Sequence, residues 1–177
     1  MALIPGESLN QYWEQFSITG FPSGVGISSQ VFRGDKMSIS SAQLKALQTT
    51  AVNLVPAPTT GGGIPVPPQG FAFYPVRLVV EYLYGTTAYT IANADNAFQV
   101  QYTGKTQALL SMTVTGLVDQ TTSMIACNLA TNPGPKVTLA NSKNLGLELK
   151  LVGTTPALTL GDGTINTWLL YQIVPLF

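Results

Sequence analysis

The chain has 177 residues, of which 45% are hydrophobic, so it is the size of one ordinary domain with enough apolar material for a core. Charged residues make up only 9%, and eight basic residues balance eight acidic ones, which leaves no cationic stripe for nucleic-acid phosphates. The chain also has no histidine, which removes the Ser-His-Asp triad and ordinary zinc sites. Nucleic acid is therefore not an expected partner, and we expect neither enzymatic activity nor a cofactor or metal.

Membrane insertion and disulfide stapling are also disfavoured. No stretch approaches the roughly 20 apolar residues that a membrane-spanning helix needs, so we expect no membrane partner. Cys127 is the single cysteine and has no intrachain partner for a disulfide. We expect it to be a small buried hydrophobic side chain.

Residues 1–35 differ from the rest of the chain, because their aromatic side chains follow no helix or strand period and alternate with glycines. We interpret them as an irregular N-terminal arm, and residues 36–177 as a single domain. The aromatic residues are candidate interface anchors, and they are Tyr12, Trp13, Phe16 and Phe21. Two readings remain open: the arm binds a neighbouring molecule, or it seals the core of its own domain.

One short helix is predicted at residues 41–49. Ser40 and Gln43 form a capping-box pair, and Leu44 and Leu47 lie on one face. The prolines and glycines between residues 56 and 68 prohibit regular structure, and we predict a long surface loop there.

From Phe71 the pattern alternates with the period of two that β-strands show, at intervals typical of a sandwich or barrel. The first predicted hairpin joins the strand at residues 77–84 to residues 89–91 through a turn at Gly85. The second joins residues 98–102 to residues 108–114. Further strands are predicted near residues 123–127 and 136–140.

The last two strands are predicted to pair with each other around a glycine turn near Asp162. Leucines at positions 145, 147, 149 and 151 share one face of the first strand. The second strand is apolar on both faces: Ile165 and Leu169 lie on one side, while Trp168 and Leu170 lie on the side where a solvated sheet carries polar residues. We therefore predict an all-β antiparallel sandwich in which Trp168 and Leu170 lie at an interface, either with a partner protein or with another subunit.

The polar residues give no recognisable catalytic pair. Glu81 and Glu148 fall at outward positions of strands, and we assign both to solvated faces. Asn93, Asp95 and Asn96 lack the spacing of a calcium loop and are typical of a polar turn. Asp162, between two glycines, is best explained as part of a tight turn.

Several segments resemble the virion proteins of tailed bacteriophages. The run Ser41–Leu47, followed by Asn53–Pro58 and a glycine cluster, is similar to the opening of many such proteins. The segments 144–149, 160–164 and 171–174 resemble their closing strands. One departure is Ile64 after the glycines, where related chains tend to place a lysine.

The resemblance implies a jelly-roll domain of the capsid decoration, or cement, type at the capsid surface, whose partner is the major capsid protein. We expect it to self-associate, as a homotrimer, and no catalytic residue comes with the resemblance. The alternative is a head-fibre or tail component that binds host carbohydrate or protein through exposed loops, with Tyr89 and Tyr102 as the first candidates. An enzyme acting on cell-wall glycans is disfavoured by the residue inventory.

Overall fold

The computed structural model describes residues 33–54, 71–129, 136–154 and 157–175. The long loop predicted before Phe71 lies outside these ranges from residue 55 to residue 70. The described residues form ten strands and one α-helix. These elements are β1 Arg33–Ile39, α1 Ser41–Ala46, β2 Val52–Asn53, β3 Phe71–Leu83, β4 Tyr89–Ile91, β5 Ala97–Tyr102, β6 Ala108–Thr113, β7 Met124–Leu129, β8 Leu147–Val152, β9 Leu158–Leu160 and β10 Thr164–Pro175.

The strands build two four-stranded antiparallel sheets, which confirms the predicted all-β sandwich. The first sheet has the order β1-β10-β3-β7 and the second has the order β2-β8-β5-β6. A small additional sheet pairs β4 with β9. Strand β1 begins at Arg33, inside the range that the sequence assigns to the arm.

Four of the strand pairings are nested along the chain. β1 pairs with β10, β2 with β8, β3 with β7 and β5 with β6, always antiparallel. The chain therefore follows one long antiparallel ribbon that folds over into two layers. Only β5 and β6, at the closed end of the ribbon, form a local hairpin, as the sequence predicts.

Two predicted pairings are wrong. β4 pairs with β9, with Tyr89 opposite Leu160, and not with β3. The two closing strands lie in different sheets, because β8 pairs with β2 and β5 while β10 pairs with β1 and β3. A period of two identifies the face that a side chain occupies but not the strand that lies alongside.

The core lies between the two sheets. Leu147, Leu149 and Leu151 of β8 are completely buried, which confirms the predicted leucine face. Large aromatic side chains from both sheets fill the same cluster. Phe73 and Tyr171 pack edge to face, with ring centroids 5.0 Å apart, a geometry that aromatic pairs favour.

Helix α1 begins as predicted and ends earlier. The Gln43 N–H donates to Ser40 Oγ at 3.3 Å, and the Ser40 N–H donates to Gln43 Oε1 at 2.9 Å, so the capping box is formed. The helix ends at Ala46, yet Leu47 is buried together with Leu44. Burial of these two leucines ties the helix to the core.

The strand predicted at residues 136–140 is absent there. A single 3-10 turn spans Leu139–Asn141 instead. The Thr138 carbonyl accepts hydrogen bonds from the Asn141 N–H at 2.9 Å and from Ser142 Oγ at 3.2 Å. These local bonds bend the backbone and occupy a carbonyl that a sheet ladder would use.

Candidate association surface

Two of the six predicted interface residues lie in the described structure. Trp168 and Leu170 occupy the outer face of β10, turned away from the core, and both are half-buried. Tyr12, Trp13, Phe16 and Phe21 lie outside the described residues.

The outer face of the first sheet carries a mainly apolar surface, and the strand registers define its rows. Trp168 lies beside Val79, which lies beside Cys127. In the next row Leu170 lies beside Arg77 and Arg77 beside Leu129. We call the apolar residues of these rows, together with Ile125, the outer apolar face. Its members are Val79, Ile125, Cys127, Leu129, Trp168 and Leu170.

Polar and charged groups also lie on this side of the sheet, with Lys36 and Ser38 on β1 and Glu81 on β3 beside Ile125. The Lys36 amine lies 5.5 Å from the centre of the Trp168 ring, within range of a cation–π interaction. Ser38 Oγ donates to Asn166 Oδ1 at 2.6 Å, and Asn166 Nδ2 donates to Glu81 Oε2 at 2.7 Å. Glu81, predicted to be solvated, is therefore half-buried and hydrogen-bonded.

Strand β7 forms the edge of the first sheet and is the most exposed apolar part of the described chain. Ile125 is 69% exposed and Leu129 is 52% exposed. Cys127 is also exposed, so the expectation that it is buried is wrong. It lies on the outer side of an edge strand, where no second layer covers it. The sequence predicts a strand here but not its role as an exposed edge, although apolar residues at 125, 127 and 129 within an uncharged run are the signal.

The loop aromatics that would serve a host-binding protein are not exposed. Tyr89 is buried, and its hydroxyl donates to the Gly163 carbonyl at 2.7 Å. Tyr102 is buried, and its hydroxyl donates to the Phe73 carbonyl at 2.5 Å. Burial raises the pKa of Tyr102 to about 12 and also raises the pKa of Tyr89. Both residues therefore support the fold, and their burial argues against a role in recognising ligands.

Glu148 contradicts its predicted place on a solvated face. It is only 8% exposed, and Gln101 Nε2 donates to its Oε1 at 2.6 Å. The Gly104 N–H donates to the other carboxylate oxygen at 3.4 Å. Gln101 is itself buried, so the pair is a polar link between β5 and β8 on the outer side of the second sheet.

Asp162 ties two loops together, beyond its predicted role in a turn. Its carboxylate accepts hydrogen bonds from the Thr86 hydroxyl at 2.6 Å and from the backbone N–H groups of Thr86 and Thr87 at 2.8 and 2.9 Å. The Thr86 hydroxyl, followed by these amides, lowers the pKa of Asp162. The carboxylate thereby fixes the loop after β3 against the corner that precedes β10.

The remaining polar groups assemble no chemical centre within the described ranges. Asn96 is buried, and its Nδ2 donates to the Ala157 carbonyl at 2.9 Å, as expected of a structural turn. No group of three or more His, Cys, Asp or Glu side chains suited to a metal occurs in that part of the chain. A cleft of about 260 Å³ beside Lys105 and Gln107 is slightly below the usual range of ligand pockets.

Comparison of the chain with protein-family models, with curated proteins and with solved structures finds no match. Within the described ranges no helix is long and apolar enough to cross a membrane.

Proposed function

We propose that the protein is a structural subunit of a bacteriophage virion that associates with copies of itself and reinforces the capsid by binding the major capsid protein. The observation that carries this proposal is the outer apolar face, which ends in the uncharged edge strand β7. Large exposed apolar patches on soluble domains mark contacts with other molecules. Trp168 and Leu170 belong to this face, in agreement with their predicted role as contact residues.

The nested strand pairing supports a jelly-roll assignment. Rolling one antiparallel ribbon into two sheets places the first strand beside the last and the second beside the penultimate long strand, as in the pairs β1–β10 and β2–β8. Jelly rolls occur in viral capsid and lectin domains. Because one fold serves many functions, the virion assignment rests on the surface and on the sequence resemblance together.

The host-binding alternative depends on two aromatic residues that are not accessible to a ligand. Tyr89 and Tyr102 are buried, and their hydroxyls are used inside the domain. No other aromatic cluster on the described loops replaces them. The association surface thus supports the structural role better than loop-mediated recognition.

The direct test is co-sedimentation of the purified full-length chain with undecorated capsids of the phage that encodes it. We expect saturable binding and greater resistance of the particles to heat. A chain without residues 1–32 tests the arm, and thermal unfolding of the free truncated chain shows whether it still folds. Full-length protein that neither binds particles nor self-associates would refute the proposal, whereas binding that survives the truncation would exclude the arm and leave the loops or the outer apolar face as the contact.

A further inference from the structure

Strand β7 lacks the features that normally protect an edge strand from pairing with another chain. Natural edges carry charged residues, proline or bulges, yet β7 reads MIACNL and no charged residue occurs between Asp119 and Lys136. Of the described strands only β3 pairs with it. Even its inward-facing positions are open, since Met124 is 37% exposed and Ala126 is half-exposed.

The strand is nevertheless held firmly in place. Six consecutive residue pairs join it to β3, and the Asn128 side chain donates to the Ser111 carbonyl on β6. An edge that is ordered before binding loses little conformational freedom on pairing, which favours association.

We propose that β7 of one subunit pairs antiparallel with β7 of a second copy of this chain, about a two-fold axis at Cys127. The two first sheets then form one continuous eight-stranded sheet, and their outer apolar faces become a single surface. This inference rests on the self-association part of the proposed function and names the partner and register of that contact. A two-fold contact joins subunits in pairs, so it proposes a dimer in place of the homotrimer that the sequence resemblance implies.

The register follows from the alternation of side chains. Residues opposite each other in an antiparallel pair share a face, so an axis at Cys127 places Ile125 opposite Leu129 of the second copy. These two residues are the most exposed apolar side chains of the strand. An axis at Ala126 would instead place Leu129 opposite Ser123, and an axis at Asn128 would place Ile125 opposite Thr131, so each would lose one apolar contact.

Charge on the neighbouring strand is compatible with the same register and favours it at low ionic strength, where charges farther apart than about 10 Å still interact. Glu81 lies beside Ile125, and Arg77 lies beside Leu129. With the axis at Cys127, Ile125 and the Leu129 of the second copy form one row across the two sheets. Glu81 of one copy lies at one end of this row and Arg77 of the other copy at the other end, three strand spacings or about 14 Å apart. An axis at Ile125 would bring the two Glu81 carboxylates into one row, and an axis at Leu129 would do the same with the two Arg77 side chains.

The net charge of the chain also permits a second copy as the partner of β7. Eight positive and eight negative residues cancel, so two copies do not repel each other over long range. The self-complementary row and this neutrality together favour a like partner over a strand of another protein.

Cys127 supplies a reporter for this contact. Opposite residues in an antiparallel pair have Cα atoms about 4.5–5.5 Å apart, within the range of about 4.4–6.8 Å that a disulfide requires. Oxidation of the purified full-length protein with diamide should give a reducible dimer of twice the 18.8 kDa chain mass. A variant with Cys127→Ser and Thr90→Cys, which moves the single thiol to an exposed position on β4, should cross-link only weakly.

Paired cysteine variants test the register itself. In a Cys127→Ser background, Ile125→Cys and Leu129→Cys should each cross-link poorly alone and efficiently when the two proteins are mixed. Efficient cross-linking of either variant alone would place the axis elsewhere and overturn the proposed register.

A charge on the edge tests whether the contact stabilises the oligomer. Ile125→Lys should raise the dissociation constant of this contact by about tenfold or more, and Thr113→Lys, an equally exposed change on β6, should not. A wild-type monomer in sedimentation would overturn both this contact and self-association. An oligomer that gives no Cys127 cross-links would overturn the β7 contact alone, and this is the result expected if residues 1–32 or a shell protein cover β7. Protein that cross-links at Cys127 but does not bind capsids would overturn only the virion assignment.

Discussion

Truncation of Trp168 separates the contribution of the outer apolar face to folding from its contribution to association. Removing a fully buried tryptophan costs about 3–5 kcal/mol of stability, the value that the sequence predicts for an enclosed side chain. Trp168 is only half-buried in the single chain. We therefore expect Trp168→Ala to lower the free energy of unfolding by about half of that cost, or about 2 kcal/mol. This loss includes about 0.5–1 kcal/mol from the cation–π contact with Lys36. At an interface the same truncation costs about 2 kcal/mol or more in binding, or roughly 30-fold in the dissociation constant.

The neighbouring residue offers a matched control. Leu169 is 1% exposed and points into the core from the same strand, so Leu169→Ala should cost about 2–5 kcal/mol of stability and leave association of the folded protein unchanged. Urea unfolding at several protein concentrations would measure stability, and co-sedimentation with capsids would measure association, because Trp168 on β10 lies two strands away from the β7 contact. If Trp168→Ala destabilises folding as much as Leu169→Ala and leaves capsid binding intact, the outer face is not an association surface.

Three further predictions concern groups that hold the sandwich together. Gln101→Leu should remove the amide donor from the buried Glu148 carboxylate and lower the free energy of unfolding by about 1–3 kcal/mol. A double-mutant cycle with Glu148→Leu, measured by urea unfolding, should show coupling between the two residues. Additive losses would contradict the link. The pKa of Asp162 is lowered in the folded state, so the carboxylate stabilises the fold above its ordinary pKa of 3.8, and this stabilisation is lost as the pH falls below that value. The melting temperatures of Asp162→Asn and wild type should therefore differ more at pH 7 than at pH 3. An equal difference at both pH values would argue against the loop contact. Burial raises the pKa of Tyr82 and of Tyr102 to about 12, so the contribution of each hydroxyl to stability should be constant up to about pH 10 and fall between about pH 10 and 12 by at most about 1.4 kcal/mol per pH unit. In this alkaline range the slope of stability against pH should decrease in Tyr102→Phe, and an unchanged slope would show that this hydroxyl does not titrate on unfolding.

The sequence predicts the faces of the strands better than their partners. The inward leucines of β8 and the two-sided apolar pattern of β10 are visible directly, because alternation reports burial. The partners are not visible, since three of the four nested pairs join strands that are far apart in the chain. The predicted β5–β6 hairpin is confirmed, but β4 follows β3 after a loop of the same length and pairs with β9, so loop length alone does not determine the partner.

The misassigned side chains show the same limit. Glu148 occupies an outward position of β8, as alternation predicts, yet it is buried beside Gln101. Cys127 belongs to a residue type that is usually buried, but its strand is an edge. Tyr89 and Tyr102 lie at or beside strand ends, where aromatic residues look accessible, and their hydroxyls instead find carbonyl partners inside the domain. In each case the deciding fact is what covers the strand, which is a property of the whole sheet.

The outer apolar face also carries enough fixed charge to orient a partner. Glu81 and Arg77 are four residues apart on β3, about 13 Å along the strand, and the Glu81 carboxylate is held by Asn166 at 2.7 Å. A partner that approaches in the reversed direction would meet like charges at both ends, while apolar burial alone is non-directional. The charges therefore contribute specificity more than affinity. At low ionic strength, where screening is weak, exchanging them in the double variant Glu81→Arg and Arg77→Glu should preserve pairing between identical copies but impair mixed pairing with the wild-type chain. Equal mixing of the two proteins under that condition would show that these residues do not set the orientation.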